Sequence, residues 1–165
     1  MLESPTSSPW ALAMPGVVAG LVGGVLIDAY LIVTLVLATH TVGLAAFFQF
    51  TAAGTIGPAA YTQPSSVYLG IALHFLVSIA WGVGYAFVAA RTPQVLARPL
   101  LSGIAFGVVV MLAMQLVEVA ANLYRLPTTF SLFNAFVAHI AFFGIPVAYI
   151  VTTMLERSHP SPHRG

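Results

Sequence analysis

Four apolar stretches, near Pro15–Ala38, Ser66–Ala90, Leu100–Leu123 and Ser131–Met154, constrain this chain more than any other feature. Each reaches the roughly 20 residues that a helix needs to cross the hydrocarbon core of a bilayer. In lipid every backbone amide must be satisfied within its own segment, so such runs fold as helices. With 59% hydrophobic and 5% charged residues in 165, the chain lies far from soluble domains, in which about a quarter of residues carry charge. The expected fold is an all-α integral membrane bundle of four transmembrane helices, forming one domain over residues 1–165. The bilayer is its first partner.

Connections set the order of packing. Thr92-Pro93 and Arg98-Pro99 punctuate a short link between spans two and three, and Leu126-Pro127 does the same between three and four. Links this short predict that spans two, three and four are sequential antiparallel neighbours. Pro15 suits a first helical turn. The link 39–65 differs, because Val42-Gly-Leu-Ala-Ala-Phe-Phe-Gln-Phe-Thr-Ala-Ala is too apolar for an ordinary loop and too short to cross. It reads as an interfacial or re-entrant helix, broken by Gly54, Gly57, Pro58 and Pro64 and placed to cap the bundle.

Charge supplies the topology. There is no Lys, and Arg91, Arg98, Arg157 and Arg164 fall on one side against Arg125 on the other, which puts both termini in the cytoplasm under the positive-inside rule. Five cations make no basic surface, so nucleic acid is excluded as a partner. With no Cys, disulfides and thiol chemistry are excluded. The first nine residues lack the basic region of a secretory signal, so the first apolar run is expected to remain as a span. The tail 158–165 reads as disordered, with His159 and His163 as weak metal candidates.

Small residues mark the helix contacts. Gly16-x3-Gly20-x3-Gly24 leads by one more step of four to Asp28; span two offers Ser78-x3-Gly82 and Ala80-x3-Gly84, and span three Gly103-x3-Gly107. Such stripes let backbones approach closely, and the first places Asp28 between helices. A homo-oligomer face is the alternative use.

In span three, Gly103, Gly107, Met111, Gln115, Glu118 and Asn122 share one stripe, which is expected to look inward because a carboxylate in a bilayer is costly and normally has a partner. Counting rise from the span midpoints puts His74, His139 and Gln115 about 6 Å outward, Glu118 about 10 Å outward and Asp28 near the middle. Asp28, His74, Gln115, Glu118 and His139 thus form a candidate polar layer. Ser78, Trp81 and Tyr85 continue the face of His74, and Asn134 lies about one turn from His139. Pro146 removes an N–H and frees the Phe142 carbonyl.

Three uses compete for this layer. It is structural glue, or a proton or cation pathway in which Asp28 and Glu118 titrate while the histidines relay. In the third, His74 and His139 are axial ligands of a haem, or form with Glu118 a two-histidine, one-carboxylate metal site. Hydrolysis is disfavoured, since no Gly-x-Ser-x-Gly flanks a rhomboid-like Ser78/His139 dyad. An accessory subunit of a larger membrane complex is the non-catalytic alternative.

The run His74-Phe-Leu-Val-Ser-Ile-Ala-Trp-Gly-Val-Gly-Tyr85, then Leu101-Ser-Gly-Ile-Ala-Phe-Gly107, then Ala138-His139 early in a last span ending in Glu156-Arg157, resembles the YagU-like family of bacterial inner-membrane proteins. The resemblance spans roughly residues 66 to 157. It implies a polytopic inner-membrane protein of unestablished activity, and it carries no motif for Asp28 or Glu118.

Overall fold

The computed structural model describes residues 9–123, 126 and 128–158. Among them are helices and no strand. Helix α1 (Pro9–Leu31) continues as a π-helical stretch, Ile32–Ala38; α2 is Leu44–Ile56, followed by a 3-10 turn, Gly57–Thr62. Helix α3 is Ser66–Arg91, α4 the short Pro93–Ala97 and α5 Pro99–Ala120. The last span is built from α6 (Thr129–Val137), a π-helical stretch Ala138–Gly144 and α7 (Ile145–Ser158). Four helical segments are long and apolar enough to cross a membrane: Leu12–Ala38, Ser66–Arg91, Pro99–Ala120 and Thr129–Arg157. This is a membrane protein with an all-α, four-span architecture.

Local chemistry explains the ends. Pro93 and Pro99 open α4 and α5, where a missing N–H costs nothing. Pro15, by contrast, does not open its helix, because α1 starts six residues earlier at Pro9, which takes that place. The last span begins at Thr129 rather than 131, since the Thr128 hydroxyl accepts the Ser131 N–H at 3.1 Å and caps the first turn. Helix α5 stops before Leu123. Asn122 adopts φ +56°, its N–H reaches the Val119 carbonyl at 3.1 Å, and Leu123 N–H reaches the Glu118 carbonyl at 2.9 Å, which together form a Schellman cap.

Glycine sets which helices meet. Helix α1 runs antiparallel along α3, and a Cβ on Gly20 would lie 2.5 Å from the Ser78 carbonyl, so the backbones are in direct contact there. Gly82 faces Gly16 and Gly20 from the other side. Helix α5 crosses the last span in the same way, with Gly103 and Gly107 against Gly144 and the His139–Ile140 backbone. Gly84 faces open space, so only the Ser78-x3-Gly82 half of the expected α3 pattern is used.

Spans three and four are close antiparallel neighbours as their short link requires, but spans two and three are not packed backbone to backbone. Helix α3 spends its small face on α1 and meets α5 through rings: Phe106 lies 4.7 Å from Tyr85 and 6.1 Å from Trp81, centroid to centroid. Val147, Ala148 and Val151, fully buried, fill the centre with Ala19, Ile27, Ala86 and Phe143.

The link after span one folds into α2, whose 13 residues reach about 19 Å, short of the roughly 30 Å core. It lies back against α3, where Gly70 faces the Phe48 carbonyl. Ala52, Ala53 and Ala60 are buried with Leu123, so α2 and its 3-10 turn also meet the end of α5.

Candidate functional site

The stripe on α1 that brings Gly16, Gly20 and Gly24 against α3 carries Asp28 to the same interface. There the Asp28 carboxylate meets the imidazole of His74, Oδ1 to Nε2, at 3.3 Å. The same Nε2 lies 3.2 Å from the Gly24 carbonyl. The Asp28 side chain is 10% exposed and that of His74 20%, so the pair is largely withdrawn from surroundings. Gly24 permits this approach, with Ser78 and Phe75 filling the space beside its Cα.

A carbonyl oxygen only accepts, so Nε2 of His74 bears the hydrogen and shares it between Gly24 and Asp28. In the neutral ring Nδ1 then carries no hydrogen. On His139 the assignment is reversed: Nδ1 lies 2.9 Å from the Ala135 carbonyl and donates to it, which leaves Nε2 free. Asp28 and His74, from two spans, therefore form a polar pair, while His139 of the last span holds the opposite imidazole tautomer.

The position of His139 follows from its backbone. At Ala138 the α-helix widens, and the Ala138 N–H splits between the Asn134 and Ala135 carbonyls. The wide winding continues to Gly144, and Ile145 N–H bonds back five residues to Ile140. Pro146, which has no N–H to give to Phe142, follows immediately. Asn134, 4% exposed, supports this junction through its carbonyl.

Gln115 and Glu118 do not join this group. Gly107 faces the His139 carbonyl, and Glu118 lies eleven residues further along α5, about 16 Å by helical rise, with Gln115 about 12 Å away. Burial fades along the stripe: Gly103, Gly107 and Met111 are buried, Gln115 and Glu118 partly so, and Asn122 exposed. Asn122 serves as the left-handed stop of α5 and not as a polar-layer residue. Among the described residues the Glu118 carboxylate has no ion pair or side-chain hydrogen bond.

Tyr85 also belongs elsewhere. Its hydroxyl bonds Ser102 Oγ at 2.8 Å, and Ser102 in turn lies within 3.2 Å of the Val95, Arg98 and Pro99 carbonyls. This fastens α3 to the α4 turn and the start of α5. Ser78, 5% exposed, packs against Gly24 at the helix crossing.

The metal expectation fares differently from the pair. No group of three His, Asp or Glu side chains that could hold a metal occurs among the described residues, so His74, His139 and Glu118 are not a ligand set; the length of α5 keeps Glu118 away. His159 and His163 lie outside the described residues.

Sequence reasoning missed the Gly24 carbonyl, since a helical backbone acceptor leaves no mark in residue type. It also missed Ser102, buried Gln49 and Ser66, and Thr152, whose hydroxyl is buried without a partner among the described residues. Gln49 was visible as the one amide in the apolar run of residues 42–53. Comparison with family models, curated proteins and solved structures returned no match to this chain.

Proposed function

We propose that the chain is a multi-pass protein of the bacterial inner membrane, with cytoplasmic termini, that carries a proton or a small cation at the Asp28–His74 pair. The observation that supports this is the pair itself: an ionisable acid and an imidazole bonded at 3.3 Å between two spans. Ionisable groups within a membrane are costly and are kept where protons or ions are handled. The carried proton or cation is held between the Asp28 carboxylate and the His74 ring, at the α1–α3 interface. Membership of the YagU-like family is part of this proposal and rests on the residues between 66 and 157.

The test is proton uptake by liposomes loaded with a pH-sensitive dye. Wild-type protein collapses an imposed pH gradient faster than empty liposomes, and Asp28→Asn and His74→Gln each abolish the difference. Equal rates for wild type and both variants would leave the pair a structural bond. A second reading has its own support: Glu118, partly buried and unpaired among the described residues, suits an accessory subunit whose partner supplies the counter-charge. Co-purification that is lost on Glu118→Gln would favour it.

A further inference from the structure

We propose that α2 is a lid over the Asp28–His74 pair, closed in this structure and opening at glycine hinges to admit water or a cation from that end of the bundle. The proposal rests on reading the pair as the functional group, though the contact that closes the lid does not. Gly70 and His74 are four residues apart and so lie on one face of α3, a single turn of about 6 Å from each other. The Phe48 carbonyl of α2 sits so close to Gly70 that no side chain fits between. The lid therefore lies immediately beside His74.

Its seating suits release. The buried contacts are small, Ala52, Ala53 and Ala60 against Leu123, where large interlocked side chains would resist sliding. Polar ties are local: Gln49 Nε2 donates to the Gln63 carbonyl at 3.4 Å, and the Ser66 hydroxyl bonds the Ala60 and Gln63 carbonyls. Gly43, extended at φ −74° and ψ 151°, and Gly57, at φ +67°, bound the helix with open space about each Cα. Toward the other end of the bundle Val147, Ala148 and Val151 are packed to 0% exposure, so the lid side is the shorter way to the pair.

Histidine carbethoxylation by diethyl pyrocarbonate, read by peptide mass spectrometry on full-length protein in detergent, tests this. Exposed His40 and partly buried His139 serve as internal references. In the wild type His74 reacts about tenfold more slowly than His40. Leu123→Ala, which loosens the far anchor without touching α3, raises the His74 rate about threefold and leaves His139 unchanged; Gly70→Leu, which wedges the lid off, raises it further. Should Gly70→Leu fail to fold, Leu123→Ala decides alone. A wild-type His74 as reactive as His40, an unchanged His74 rate in the variants, or an equal rise at His74 and His139 would each overturn the lid. Failure of the flux assay would remove the transport reading and leave these rates as they are.

Discussion

Removing His74 and removing the charge of Asp28 have unequal consequences, and the inequality follows from the partners each leaves behind. In His74→Ala the Asp28 carboxylate, 10% exposed, loses its one ion pair among the described residues and faces the Gly24 turn. In Asp28→Asn the amide oxygen still accepts from Nε2, and the ring keeps the Gly24 carbonyl. Polar contacts between membrane helices contribute about 0.6 to 2 kcal/mol. Orphaning one member of a buried pair in water-soluble proteins costs about 3 to 5 kcal/mol. The helix-bundle setting and the residual exposure of both groups place His74→Ala between these, at about 2 to 3 kcal/mol, and Asp28→Asn at about 0.5 to 1 kcal/mol. In the double variant the neutral amide no longer penalises loss of the imidazole, so the two losses sum to about 1 to 2 kcal/mol more than is observed. Equilibrium unfolding in mixed micelles, followed by circular dichroism, measures all four corners. A cycle additive to within about 0.5 kcal/mol would show that the two side chains do not share a bond.

Other positions give sharper contrasts. Gly20→Val drives a side chain into the Ser78 carbonyl and should cost about 1 to 3 kcal/mol in thermal unfolding, whereas Gly84→Ala meets nothing and should be neutral or stabilise by up to about 1 kcal/mol. Asn122→Val forces a β-branched residue to φ +56° and should destabilise by about 1 to 2 kcal/mol in the same melt, while Asn122→Gly is tolerated. Phe106→Ala removes ring contacts to Trp81, Tyr85 and Phe143, and should cost about 3 kcal/mol, with the loss visible as altered Trp81 fluorescence.

The layout was legible because it depends on quantities that residue type carries. Apolar length marked four spans to within three residues at all eight of their ends, and steps of four from Gly16 led to Asp28 without knowledge of its partner. The height of the polar residues was not legible beyond the Asp28–His74 pair. Span midpoints assume that every helix is centred alike, whereas the Gly103 and Gly107 crossing fixes how α5 sits against the last span and carries Gln115 and Glu118 past it. Asn122 looked like the next residue on an inward stripe because periodicity cannot show that the helix has ended. Tyr85 shares the face of His74, yet its ring reaches α5. Whether two short-linked spans meet by backbone or by rings depends on which small face finds α1, and that competition is tertiary.

The wide winding from Ala138 to Gly144 makes the bearing of His139 a matter of counting. Wound at ordinary pitch, the same five steps from His139 to Gly144 would swing the imidazole by roughly a quarter turn relative to Gly144. The imidazole would then point along a different radius of the bundle while the glycine crossing stayed put. Spacing in this part of the chain is therefore as informative as identity.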